Sequence, residues 1–130
     1  MDLTSLAKKM KVRNVVNIER KSRQFKIDQD DYSIIRALLV KNGCSDHHDD
    51  RVKWDVDGYF RVRGLKIRQR STLPEEIGNL ASLEKLHLES TRITALPSSI
   101  GKLQNLKKLG LSFTRLTALP DEIGNLTSLE

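Results

Sequence analysis

From residue 83 onward the apolar positions return at a fixed interval. Leu83, Leu86, Leu88 and Ile93 are followed 23 residues later by Leu106, Leu109, Leu111 and Leu116. The same shift carries Leu73-Pro74 to Leu96-Pro97 and Leu119-Pro120, and Ile77-Gly78 to Ile100-Gly101 and Ile123-Gly124; Leu80, Leu103 and Leu126 keep the register. Self-similarity with a period of about 20 to 50 residues is the mark of stacked structural units. Within each unit, leucines two apart (Leu86 and Leu88, Leu109 and Leu111) leave one face of a short strand. The rest of the unit brings the chain back to the start of the next strand, so neighbouring strands run parallel. Leu86, Leu88, Ile93, Leu96, Ile100 and Leu103, with Leu109 after them, then face one continuous core that no single unit could bury alone. Leu-Pro opens the return segment, and Ile-Gly-x-Leu predicts a short, irregular helical turn on the opposite side. Thr91 and Thr114 recur just after each strand and offer a hydroxyl to a loop carbonyl, satisfying backbone that stacking buries.

The pattern before the repeats is different. In 28–41, Ile34, Ile35, Leu38 and Leu39 fall on one helical face, Asp28 or Asp30 can cap the start, and Asn42-Gly43 supplies a left-handed stop. This helix is expected to lid the N-terminal end of the stack. Next, two β-rich runs flank Asp57-Gly58, which predicts a hairpin with a two-residue type I′ turn. In that register Val56 opposes Tyr59 and Trp54 opposes Arg61, and Trp54 plugs the core. Val62-x-x-Leu65-x-Ile67 is the expected first repeat strand. Its unit is short, with 21 residues from Leu65 to Leu86, as suits a terminal repeat. Leu3, Leu6, Ala7 and Met10 are at helical spacing, but residues 1–27 otherwise read as a basic arm, disordered or helical.

Composition then bounds the chemistry. The 130 residues carry a net charge of +6 and a single cysteine, Cys44. One cysteine excludes an internal disulfide framework and suits a reducing compartment, so the expected address is cytoplasmic. The charge is uneven: residues 1–26 carry +6, residues 28–58 carry −4 and residues 59–130 carry +4. The arm is therefore a possible contact for nucleic acid or another acidic surface. Cys44, His47, His48, Asp49 and Asp50 are the one cluster with ligand chemistry, but neighbouring residues seldom converge on one ion and no second cluster adds distant ligands. A polar loop is expected there, with no metal, cofactor or catalytic group.

The repeated Leu-x-x-Leu-x-Leu-x-x-Thr and Leu-Pro-x-x-Ile-Gly-x-Leu segments resemble the leucine-rich-repeat superfamily from residue 52 to 130, with Thr where the family often has Asn. The 23-residue spacing is similar to its intracellular plant and Ras-group members, including the disease-resistance type. The run from Trp54 through Val56, Asp57, Gly58 and Val62 to Leu65 also resembles the end of a plant-type N-terminal cap, without that cap's paired cysteines. The resemblance implies an α/β solenoid with parallel strands on the concave side. Its expected organisation is a basic arm (1–27), a helix-plus-hairpin cap (28–61) and about three repeats (62–130). Leu129 falls where a fourth strand begins, so the chain is expected to be part of a longer protein.

What the resemblance implies about function is a non-enzymatic protein-interaction scaffold in signalling or immune-type recognition. The exposed slots between core leucines on the concave face are the expected partner site: Lys66, Arg68, Lys85, His87, Glu89, Lys108, Ser112 and Phe113. Their charge points to a protein with an acidic surface, and Phe113 is the apolar anchor. One column across the strands is expected to read Gly64, Lys85, Lys108 and the next Lys66, His87, Gly110.

Overall fold

A computed structural model describes residues 15–20, 23–41, 52–68 and 73–130. Strands β1 (Val15–Arg20) and β2 (Arg23–Asp28) form an antiparallel pair, followed at once by helix α1 (Gln29–Lys41). A second sheet holds β3 (Val52–Val56), β4 (Val62–Ile67), β5 (Lys85–His87) and β6 (Lys108–Gly110) in that order. β3 is antiparallel to β4, and β4, β5 and β6 are parallel, with Leu65, Leu86 and Leu109 side by side. The three parallel strands are thus centred where the leucine period puts them.

Each return segment contains a 3-10 turn: Glu75–Asn79, Ser98–Lys102 and Asp121–Asn125. The preceding prolines (Pro74, Pro97, Pro120) are extended and start each turn by accepting from the isoleucine N–H at 3.0–3.1 Å. The Ile-Gly of the motif follows from how these turns stack. A Cβ on Gly78 would stand 2.5 Å from the carbonyl oxygen of Ser99, and one on Gly101 would stand 2.9 Å from that of Glu122. Only a residue without a side chain lets successive turns approach this closely. Thr91 is buried and donates its hydroxyl to the Leu88 carbonyl at 2.7 Å, the loop bond expected of it.

One apolar core runs from Ile18 and Ile27, through the α1 face of Ile34, Ile35, Leu38 and Leu39, into the repeat leucines as far as Leu126. Helix α1 therefore closes the N-terminal end of the stack, as its spacing predicts. Leu109, expected in the shared core beside Leu86, is only half-buried. β6 is the last strand of the sheet, so among the described residues no further strand flanks Leu109 on its outer side.

Two expectations are corrected. The first is the disordered or helical arm over residues 1–27, within which residues 15–20 and 23–27 instead belong to the β1–β2 pair. Ile18 and Ile27 are buried beside the exposed Asn17 and Lys26, apolar positions that the heavy basic charge obscures. Residues 1–14 lie outside the described residues, as do Cys44, His47, His48, Asp49 and Asp50.

The second correction concerns the hairpin. Asp57-Gly58 does not form a two-residue turn: Val56 opposes Val62 and Trp54 opposes Leu65, with an irregularity between Asp55 and Val56. The loop is three residues long, closed by Asp57 N–H to the Arg61 carbonyl at 2.9 Å, and its left-handed residue is Phe60 (φ 65°) rather than Gly58. The Asp57 side chain decides this. It accepts the Tyr59 N–H at 2.8 Å and the Arg61 N–H at 3.1 Å, which favours the longer loop over a type I′ turn. Trp54 still shares a face with Leu65 and packs against the core.

That loop is tied to the helix. Asp28 donates its N–H to the Phe60 carbonyl at 2.8 Å, and its Oδ2 caps α1 by accepting the Asp31 N–H at 3.0 Å. Asp31 is buried and takes Arg61 on both oxygens, Nε at 2.9 Å and Nη2 at 3.2 Å, while its Oδ2 also accepts the Val62 N–H at 2.9 Å.

Candidate functional site

The strands turn one face to the core, and the opposite, open face carries the remaining side chains. Two rows cross it. One runs Lys53, Lys66, His87, Gly110 and the other Asp55, Gly64, Lys85, Lys108. From β4 onward both rows match the columns predicted from the repeat. Lys53, Lys66, Lys85 and Lys108 are exposed.

Like charges therefore stand next to each other twice. Lys53 is opposite Lys66, and Lys85 is beside Lys108. Side chains facing one another across neighbouring strands lie about 5 Å apart at Cβ, where like charges disfavour the fold. Among the described residues no carboxylate forms an ion pair with any of these four lysines.

The acids of the region are committed elsewhere. Asp55 binds Arg63, Nη2 to Oδ2 at 2.9 Å, and Glu84 binds Lys107 at 3.3 Å. The line of Arg63, Glu84, Lys107 and Glu130 is itself a ladder. Glu84 N–H donates to Arg63 O at 2.7 Å, Lys107 N–H to Glu84 O at 2.8 Å and Glu130 N–H to Lys107 O at 2.9 Å. Its charges alternate in sign from rung to rung, whereas the adjoining rows do not balance theirs. The bond between Asp55 and Arg63 also holds the guanidinium above its ordinary pKa, with the Asp55 charge adding to the effect.

His87 and Glu89 form the second charged group, Nδ1 to Oε1 at 3.2 Å. The Glu89 carboxylate lies over Gly110, in the space a Cβ would fill, just as the Asp55 carboxylate lies over Gly64. Burial pushes the Glu89 carboxyl up, but its own backbone N–H, the His87 ring and the charge of Lys66 more than offset this and hold it below its ordinary value. The two glycines of the rows thus make room for the two face carboxylates.

The predicted residues divide by location. Lys66, Lys85 and Lys108 lie on the strands and are exposed; His87 is half-buried on β5 and joined to Glu89. Arg68 follows the end of β4, exposed. Ser112 and Phe113 belong to the turn after β6 and not to the sheet face itself. Phe113 is 88% exposed and left-handed (φ 60°), and Ser90 repeats that conformation one unit earlier (φ 62°).

Sequence reasoning missed Lys53 and Asp55 as members of this face. Their alternation with Trp54 was the available signal, but the two-residue turn paired them with the wrong partners. A hollow of about 250 Å³ lies between Lys53, Trp54, Asp55, Gly64, Leu65 and Lys66. Among the described residues no group of three or more His, Cys, Asp or Glu side chains converges in a way that could hold a metal ion. None of the described helices is long and apolar enough to cross a membrane.

Comparison with known proteins assigns the family. The sequence profile described as a leucine-rich repeat region matches residues 11–130. No curated protein sequence matches the chain. Among solved structures, the leucine-rich-repeat ectodomain of the receptor kinase SOBIR1 from Arabidopsis thaliana is similar, with a TM-score of 0.46 and 18% identity over 80% of this chain and 77% of that one. With the profile covering nearly its whole length, the chain belongs to the leucine-rich repeat family.

Proposed function

We propose that the chain is a non-enzymatic interaction scaffold whose open sheet face, the concave side of a solenoid, binds a protein with an acidic surface. Leucine-rich repeat domains generally mediate protein–protein interaction. The observation that carries the finer reading is the charge on the rows. Four exposed lysines stand in register with no acid paired to them among the described residues, while the Arg63–Glu84–Lys107–Glu130 line beside them is balanced. Rigid strands fix the lysines, and charges so placed chiefly raise the association rate and select the partner. Phe113, in the turn next to the face, adds the exposed aromatic on which retained binding depends. The setting we propose is cytoplasmic signalling or immune-type recognition, supported by the single cysteine and the 23-residue spacing.

A stable interface takes about 800 Å² from each partner, so a face of four strands engages much of its area. Affinity capture compares the wild type with Lys85→Glu/Lys108→Glu and with Phe113→Ala. A protein retained by the wild type and lost from both variants is expected. Equal recovery by all three removes the open face as the site.

A further inference from the structure

Resting on the acidic-partner reading, we infer that the open face takes an extended acidic segment at two fixed points, the Lys53/Lys66 pair and the Lys85/Lys108 pair. The two pairs are separate sites, not a diffuse patch. Lys53 faces Lys66 between β3 and β4, and Lys85 lies beside Lys108 between β5 and β6, two residues away along the strand direction. Strands about 4.8 Å apart and a rise of about 3.3 Å per residue put the centres of the pairs about 12 Å from each other.

The ground between the anchors holds a fixed carboxylate, that of Asp55 over Gly64. Gly64, beside Lys85, has no side chain and floors the hollow next to Lys66. The Asp55 carboxylate reaches over that glycine and remains paired with Arg63. It repels an acidic side chain placed midway, so negative charge is favoured at the two ends and disfavoured between them. On the far side Gly110 is covered in the same way by Glu89. The face thus alternates attraction and repulsion, which selects spacing as well as total charge.

In an extended chain, side chains at i and i+4 leave the same side about 13 Å apart, whereas those at i and i+2 are about 7 Å apart. The matching ligand therefore carries glutamate or aspartate at i and i+4 with neutral residues between them.

Fluorescein-labelled peptides with paired glutamates at i and i+2, i and i+4, or i and i+8, equal in length and net charge, provide the probe. Fluorescence polarisation with the full chain at low salt is expected to rank the i+4 peptide first. Lys53→Ala/Lys66→Ala and Lys85→Ala/Lys108→Ala should each weaken it about fivefold, in keeping with exposed ion pairs, and abolish the ranking. Equal affinity for the three spacings overturns the two-point geometry while leaving the acidic-face reading intact. Binding that none of the four lysines affects overturns both. Circular dichroism melting of each variant confirms that exposed substitutions leave the fold in place.

Discussion

Asp31 on the first turn of α1 grips Arg61 in the β3–β4 loop with both carboxylate oxygens, 30 residues away in sequence. The pair is buried and connects the helix to the first repeat strand, since Asp31 also accepts the Val62 N–H. The bond to Asp31 outweighs the cost of burial and holds the Arg61 guanidinium above its ordinary pKa. Removing Asp31 leaves the buried Val62 N–H without its acceptor and Arg61 with only the longer contact to Asp28, Nε to Oδ2 at 3.9 Å. Asp31→Ala should therefore cost about 3–5 kcal/mol in urea denaturation. The exposed Arg63–Asp55 pair is the control, and Asp55→Ala should cost far less than Asp31→Ala. Equal costs would show that the helix is not secured through Asp31.

The leucines of the strands should not be equivalent. Leu86 is fully buried between two strands, whereas Leu109 on β6 is half-buried. Leu86→Ala should cost about 2–5 kcal/mol through the cavity it leaves, and Leu109→Ala clearly less. Lys85→Ala, on the open face, should change stability by no more than about 0.5 kcal/mol. A lysine as costly as Leu86 would reverse the assignment of faces.

What could be read in advance follows from how local the cause is. The parallel strands, the prolines and the 3-10 turns recur with the period, so Leu86, Pro97 and Ile100 announce their own positions. Helix α1 was legible because its apolar face and Asp28 cap lie within 14 residues. The hairpin register was not, because Asp57 binds two backbone donors ahead of it and a dipeptide preference cannot anticipate that. The Asp31–Arg61 pair was equally hidden, since it depends on tertiary docking. At the candidate site, Lys66, Lys85 and Lys108 came from periodicity alone. Lys53 needed the true register, and the place of Phe113 in a turn needed the end of β6.

The three glycines of the Ile-Gly motif offer a test of stacking. A methyl on Gly78 or Gly101 would stand 2.5 or 2.9 Å from the backbone of the next turn, whereas one on Gly124 would have nothing within 4 Å. Gly78→Ala and Gly101→Ala should destabilise by about 1–3 kcal/mol, because backbone must shift to admit the methyl. Gly124→Ala should be neutral or stabilising by about 0.4–1 kcal/mol through the unfolded chain. Thermal or urea melts that rank all three alike would show that the turns do not pack through these glycines.

Glu89 gives a pH signature. Its carboxyl lies below the ordinary 4.5 in the folded chain, so it contributes stability above that value and loses it as pH falls through the lower, folded one. The side chain is about a third exposed, which limits the effect to a few tenths of a kcal/mol. The stability difference between wild type and Glu89→Gln should be small and positive near pH 6, and should shrink below about pH 4.5. A difference that grows on acidification would mean the carboxylate is not held by His87 and its own backbone N–H.

Phe113 sets stability against binding. An aromatic residue in the left-handed region costs about 1 kcal/mol or more, and this one is 88% exposed, so packing does not repay it. Ser90 adopts the same conformation at the equivalent place, which shows that the turn imposes it rather than the side chain. Asparagine tolerates that region well. Phe113→Asn should thus raise the stability of the chain by about 0.5–1 kcal/mol while weakening capture of its protein partner. Ser90→Asn should stabilise similarly and leave capture unchanged. Urea denaturation and affinity capture on the same two variants separate the outcomes. If Phe113→Asn destabilised the chain, the phenyl ring would be part of the packing and its role as an anchor would fall.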